Sequence, residues 1–146
     1  MTPRLNPFTT SQPLTKALVD FGNKVQSGFD PALLRLVKIR ASQINGCALS
    51  LYNHTRDARA NGETEERLFL LDGWRGSPHY SERERAALAW TEALTLLPRT
   101  WASDDDYALL AGQFTAEEQV RLTLMIVVIN GFNRLCVGFR LGPQPT

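Results

Sequence analysis

Residues 39–62, IRASQINGCALSLYNHTRDARANG, bring a thiol, a hydroxyl and an imidazole onto one face of a predicted helix. Ser50 and His54 follow Cys47 at i+3 and i+7, a spacing that stacks the three side chains along about two helical turns. Asn45-Gly46, directly before Cys47, is a strong turn signal. The helix is therefore predicted to begin at Cys47, and its polar face is the candidate site.

A cysteine at the start of a helix lies in a distinct electrostatic setting. Unpaired backbone N–H groups and the positive end of the helix dipole favour the thiolate there, so the pKa of the thiol falls. The alternative is that Cys47 is a small buried hydrophobic residue, as free cysteines commonly are. Likewise, His54 could be a structural histidine, and Ser50 could cap the first helical turn. The sequence alone leaves both interpretations open.

Several segments, matched in order, carry a family resemblance. They are VKIRASQINGCALSLYNHTRDARANGETEERLFLLDGWRGSP from Val37, SERERAALAWTEALT from Ser81 and INGFNRL from Ile129. Over roughly residues 14 to 140, the chain resembles the alkylhydroperoxidase D-like group of the carboxymuconolactone decarboxylase superfamily. The resemblance implies an all-α homo-oligomer, a trimer or a hexamer, whose dithiol reduces peroxides while a Glu and a His relay protons.

The chain departs from the family motif at two positions. The motif is C-x-x-C, then three residues and a His, with a Glu twelve positions before the first Cys. Cys47 and His54 match it, but Ser50 stands at the second thiol and Arg35 at the acid. The resemblance implies that the second cysteine attacks the peroxide, and a serine hydroxyl cannot pass through the sulfenic acid and disulfide steps. An altered activity is therefore expected.

The leading hypothesis is a peroxiredoxin-type thiol-redox enzyme that needs no cofactor or metal. Cys47 would be a low-pKa thiolate, His54 the proton carrier and Ser50 a hydrogen-bond partner. With one thiol in the motif, an external thiol would resolve the oxidised cysteine. The substrate would be a small molecule.

Two alternatives belong to other functional classes. One is a non-redox lyase or isomerase acting on a small carboxylate, with His54 as acid and base and Arg35 as the substrate-binding anion anchor. Arg35 could equally point into water. The other is a catalytically silent binding subunit. A serine nucleophile at Ser50 would need an orienting acid and an oxyanion loop, which the sequence does not identify.

Composition limits the class of protein. The chain has 146 residues, 43% of them hydrophobic, and a formal net charge of +1 without a basic block. This favours one globular domain and neither a nucleic-acid nor a membrane partner. The two cysteines do not form a secreted disulfide framework, and the first residues resemble no signal peptide, so we expect a cytoplasmic protein. Cys136 is expected to be buried rather than paired with Cys47.

Apolar periodicity and caps predict an all-α bundle without strands. Residues 1–13, with three prolines, are predicted to form an extended arm before a single domain at 14–142. Asn130-Gly131 is expected to bend or interrupt the last helical region, with Asn133 and Arg134 as bend and interface groups. The predicted helices are 14–27, 30–44, 47–60, 64–72, 81–95, one from 103, 116–129 and 132–139.

Overall fold

A computed structural model describes residues 2–143, and within this range the chain is all-α. The helices are α1 (Pro7–Thr10), α2 (Gln12–Gln26), α3 (Pro31–Ile44), α4 (Ala48–Ala60), α5 (Glu65–Leu70), the 3₁₀ helix Leu71–Gly76, α6 (Glu82–Thr95), α7 (Leu97–Thr100), α8 (Asp104–Gln113) and α9 (Ala116–Gly138). The predicted all-α class is confirmed.

Helix α3 lies at the centre of the bundle and packs against α4, α6 and α9. Its inward side chains are at most 2% exposed: Leu33, Leu34, Leu36, Val37, Ile39 and Ala41. Full burial of one such aliphatic side chain contributes about 1.5–3 kcal/mol. The burial on α3 therefore fixes its C-terminal end, from which the chain turns into α4.

Local capping explains why the main helices begin where the sequence predicted. The Asp30 carboxylate accepts hydrogen bonds from the N–H groups of Ala32 and Leu33 at the start of α3. Ser81 and Thr115 both form complete capping boxes, at the starts of α6 and α9. Each cap satisfies backbone donors that would otherwise lack partners.

The prediction of an extended N-terminal arm was wrong. Residues 7–10 form α1, capped by the Asn6 side chain, and α2 begins at Gln12. The prolines do not oppose this, because Pro7 and Pro13 lie in first turns, where a missing N–H has no cost. The N–H of Arg4 donates to the carbonyl of Phe139 at 3.0 Å, which brings the start of the chain against the end of α9.

A proline in a first turn also explains one short helix that the sequence interpretation did not predict. Leu97 and Pro98 are the first two residues of α7. Similarly, the segment after α5 continues as the 3₁₀ helix to Gly76, with a non-helical backbone at Gly73. Both pieces are short, of four and six residues, and connect the longer helices.

Helix α9 is continuous over 23 residues, so the expected interruption at Asn130-Gly131 was wrong. The Asn130 amide donates at 3.0 Å to both the Ile126 carbonyl and Thr95 Oγ1, so its side chain supports the helix. Packing thereby outweighs the roughly 1 kcal/mol cost of a helical glycine. Within residues 2–143, α9 is the one helix long and apolar enough to span a membrane, a test that central helices of globular proteins also pass.

Candidate active site

Cys47 lies at the N-terminus of α4, where the sequence placed the start of a helix. It is the N-cap residue with an extended backbone, and Gly46, at a φ of 62°, turns the chain between α3 and α4. The left-handed conformation at Gly46 favours glycine. The Cys47 thiol is 1% exposed and donates to Ser50 Oγ at 3.1 Å. The predicted i+3 contact between thiol and hydroxyl is therefore present.

Asn133 of α9 ties the thiol and hydroxyl to the neighbouring helices. Its buried amide donates to Ser50 Oγ and to Ser42 Oγ, both at 3.1 Å. Its carbonyl oxygen accepts from the Asn45 amide at 2.9 Å. The serine and asparagine side chains of this network are all neutral and paired, which makes the arrangement rigid.

Cys136 is the second residue that α9 contributes. It follows Asn133 at i+3, on the same helical face, and is 5% exposed. Its thiol lies close enough to the thiol of Cys47 for each to shift the pKa of the other. Cys136 is buried and free, as expected. Spacing along α4 could not show that it lies beside Cys47, because Cys136 comes from another helix.

The two thiols ionise unequally. The Cys136 thiol, the Ser50 hydroxyl and N–H, and the Asn133 amide stabilise a thiolate at Cys47 and lower its pKa to about 6, against the effect of burial. The Cys47 thiolate in turn raises the pKa of Cys136, and burial acts in the same direction. Cys47 is therefore the thiol that ionises first.

His54 makes no hydrogen bond to Cys47 or Ser50 in the described part of the chain. Seven residues of helix separate it from Cys47 by about 10 Å along the axis, so a shared face does not mean contact. Burial and the nearby Lys38 ammonium lower the pKa of His54 to about 4, with Asp57 opposing them. The imidazole is consequently neutral near pH 7.

Arg35 faces Asp57. Its Nε donates to Asp57 Oδ2 at 2.8 Å, and the two side chains are 19% and 50% exposed. Asp57 follows His54 by three residues on α4. The guanidinium of Arg35, which the sequence suggested as an anion anchor, is therefore already paired with a carboxylate. Its role as an anion anchor stays a prediction. Across residues 2–143, no group of three His, Cys, Asp or Glu side chains is arranged to hold a metal.

Sequence reasoning missed Asn133 and Cys136 as site residues. A signal was present, because Asn130, Asn133 and Cys136 recur at i, i+3 and i+6 along one face of a helix. These three residues share a face only if the helix continues through Gly131. Because an interruption was predicted there, the sequence analysis did not group them.

Comparison with known sequences places this site in a family. Residues 12–93 match the profile described as carboxymuconolactone decarboxylase family. The uncharacterised protein YdfG of Bacillus subtilis (strain 168) is 40% identical over 112 residues, covering 77% of this chain and 76% of YdfG. The uncharacterised protein YnjA of Escherichia coli (strain K12) is 30% identical over 118 residues, covering 80% of this chain and 64% of YnjA.

Solved structures share the fold. A protein of unknown function from Agrobacterium tumefaciens, whose description suggests an AhpD antioxidant defence role, superposes with a TM-score of 0.94 at 40% identity, over 99% of this chain and all of that one. The debrominase Bmp8 superposes with a TM-score of 0.84 at 17% identity, over 94% of this chain and 74% of Bmp8. At that identity the likeness concerns the fold alone.

Proposed function

Because the chain belongs to the carboxymuconolactone decarboxylase family and has an AhpD-like fold, we propose that it is a thiol-redox enzyme that reduces peroxides through Cys47. One observation supports this most directly. The sulfur of Cys47 lies at a helix start among donors from Cys136, Ser50 and Asn133, which lower its pKa to about 6. A thiolate present at neutral pH is the form that attacks a peroxide.

The proposed first step oxidises sulfur and reduces the peroxide. The Cys47 thiolate attacks one peroxide oxygen, an S–O bond forms and the O–O bond breaks. The leaving alkoxide takes a proton from water, so a sulfenic acid and an alcohol are the products. Thiols then return the sulfenic acid to the thiol, and an external thiol reductant supplies the two electrons.

Ser50 has a defined part in this proposal although it cannot be oxidised. Its hydroxyl accepts from the protonated thiol and can rotate to donate to the thiolate, so it stabilises both forms. His54, neutral and without contact to sulfur, can pass a proton on but cannot hold one near pH 7. We therefore propose it as a relay at the edge of the site.

The lyase alternative takes His54 as acid and base and Arg35 as the anion anchor. The Arg35 guanidinium is paired with Asp57, and no other observation favours carboxylate chemistry. Thiol-dependent peroxide reduction is thus the activity to test.

The activity test is consumption of hydrogen peroxide and of an organic hydroperoxide in the presence of dithiothreitol. Cys47→Ala should lose the enzyme-dependent rate, whereas Ser50→Ala should keep a reduced rate, because one thiolate donor is removed. Circular dichroism would confirm that each variant is folded. Equal rates for wild type and Cys47→Ala would refute the proposal.

We also propose that the functional form is a homo-oligomer. Apolar side chains are exposed along two adjacent helices, Leu14 and Phe21 of α2 and Val120 and Val127 of α9. Assembly would remove this surface from water. Light scattering after size-exclusion chromatography should give a mass above that of one chain, and Val127→Glu should lower it. A monomeric wild-type protein would contradict this proposal.

A further inference from the structure

The chain contains two cysteines, and the fold brings them together. Cys47 begins α4, and Cys136 lies near the end of α9, 89 positions later in the sequence. Both are free and buried, and their thiols lie close enough for each to shift the pKa of the other. Ser50 bonds Cys47 and also bonds Asn133, one turn before Cys136, so both cysteines lie at one junction between α4 and α9. Two neighbouring thiols are positioned for a change that one buried thiol cannot undergo.

Buried hydrogen bonds around the two cysteines join the start of α4 to the second half of α9. Asn133, one turn before Cys136, bonds Ser50, one turn after Cys47, at 3.1 Å. Asn133 also bonds Ser42 on α3 at 3.1 Å. The start of α4 and the second half of α9 therefore cannot drift apart without breaking buried hydrogen bonds.

We propose that Cys47 and Cys136 are a dithiol redox pair that closes to a disulfide. Cys47 is the attacking thiol and Cys136 the resolving thiol, so that α9 supplies the second thiol that the C-x-x-C motif lacks at Ser50. The pairing of the two thiols is independent of the proposed function. Its closure after peroxide attack rests on that function.

The resolving step balances as follows. The sulfur of Cys136 attacks the sulfur of the Cys47 sulfenic acid, an S–S bond forms and the S–O bond breaks. The departing hydroxide takes the proton of the Cys136 thiol and leaves as water. A small external dithiol then reduces the disulfide by exchange, becoming a disulfide itself, and both protein thiols are restored.

The electrostatics order these events. While Cys47 is a thiolate, its charge keeps the pKa of Cys136 raised, so Cys136 stays protonated and donates to it. Oxidation of Cys47 to the neutral sulfenic acid removes that charge. The pKa of Cys136 therefore falls only after Cys47 has become a sulfenic acid, the form that Cys136 attacks.

Burial favours the internal thiol over an external one. Cys47 and Cys136 are 1% and 5% exposed, so a protein thiol would need the start of α4 to open before reaching the sulfenic acid. Cys136 already lies beside Cys47 inside the bundle and needs no such opening. The sulfenic acid should therefore be short-lived when Cys136 is present.

The test uses the full chain with two oxidants, hydrogen peroxide and diamide. Diamide joins neighbouring thiols without peroxide chemistry, so it tests the pair by itself. The oxidised wild-type protein is then denatured and treated with N-ethylmaleimide. Its intact mass should be lower than that of reduced, unlabelled protein by the mass of two hydrogen atoms. It should take up no label and yield one peptide linking residues 47 and 136. Dithiothreitol should reverse these changes.

Variants separate the resolving role from simple burial. In Cys136→Ala and Cys136→Ser, peroxide should leave a sulfenic acid at Cys47 that dimedone labels, whereas wild type should show little label. The serine variant keeps a small polar side chain, so it serves where the alanine variant does not fold. Ser50→Ala retains both cysteines and should still form the disulfide.

The outcomes distinguish this inference from the proposed function. A disulfide with diamide, combined with neither a disulfide nor dimedone label after peroxide treatment, would support the dithiol pair and refute peroxide attack at Cys47. Equal, persistent dimedone labelling in wild type and Cys136→Ser would overturn the resolving role while leaving peroxide attack in place. Failure of both oxidants to link the two cysteines in the folded protein would overturn the inference entirely.

Discussion

Replacing Cys136 by alanine should raise the pKa of Cys47. The Cys136 thiol is the largest of the influences that lower this pKa to about 6, ahead of those from Ser50 and Asn133. A hydrogen bond to a charged group contributes about 1.5–3 kcal/mol, and a thiol is a weak donor, so the lower figure applies. At about 1.4 kcal/mol per pKa unit, the expected rise is about one unit.

The shift would change the reactive population near neutral pH. With a pKa of about 6, about 90% of Cys47 is thiolate at pH 7, and a rise of about one unit would leave about half. Iodoacetamide alkylation from pH 4.5 to 9.5, measured by mass spectrometry of the peptide containing Cys47, reports the midpoint. Burial slows the reaction at every pH, so the midpoint is the informative quantity and the absolute rate is not.

Cys136→Ser is the matched control, because its hydroxyl keeps a donor beside Cys47. Its midpoint should lie below that of Cys136→Ala. An unchanged midpoint in Cys136→Ala would refute the reasoning and assign the low pKa to the donors of Ser50 and Asn133. The design has a practical consequence: removing Cys136 to isolate one thiol alters the property being measured, so the wild-type titration needs peptide-level detection.

Three further predictions concern stability, measured by urea denaturation. The pKa of His54 is about 4 in the folded protein and 6.5 for an ordinary histidine, so unfolding takes up a proton between pH 4 and 6.5. The free energy of unfolding should therefore fall by about 2–3 kcal/mol from pH 7 to pH 4, and His54→Gln should reduce this pH dependence. Asn133→Ala should cost about 2–4 kcal/mol, because it leaves buried serine and amide partners unpaired; a loss below about 1 kcal/mol would contradict this. Gly131→Ala should stabilise the protein by about 0.5–1 kcal/mol, because the added methyl group would lie 3.9 Å from Leu18, an ordinary contact. Gly22→Ala should stabilise it less, because its methyl group would lie only 3.1 Å from Val128. Equal stabilisation by the two variants would refute the steric argument.

Helix boundaries set by short-range chemistry were predictable from sequence. Asp30-Pro31 opens α3, Asn45-Gly46 separates it from Cys47, and Asn61-Gly62 follows the last residue of α4. In each case the side chain or backbone that stops or starts the helix lies within a few residues of the boundary. The position of Cys47 at a helix start could therefore be derived without knowledge of the tertiary structure.

Elements that depend on packing were not predictable in the same way. The sequence predicts an extended arm before residue 14 and an interruption at Asn130-Gly131, yet the chain is helical at residues 7–10, from residue 12 onward and through residues 130 and 131. First-turn positions make Pro7 and Pro13 harmless. Asn130 is held by Thr95 of α6, a partner that no local pattern reveals.

The site shows the same limit with a larger functional consequence. Spacing along α4 correctly paired Cys47 with Ser50, but it also suggested His54 as a partner and could not suggest Cys136. A sequence motif identifies only residues that follow one another along one helix. A sulfur atom at the start of that helix can also have neighbours from another helix. On the next turn of α4, Ser50 stands in place of the second thiol. The facing helix α9, however, brings a thiol to the same sulfur from 89 positions away. In the proposed cycle, the protein therefore keeps a dithiol although the motif has lost its second cysteine. The cysteine that lies near Cys47 is identified from the three-dimensional structure and not from the motif.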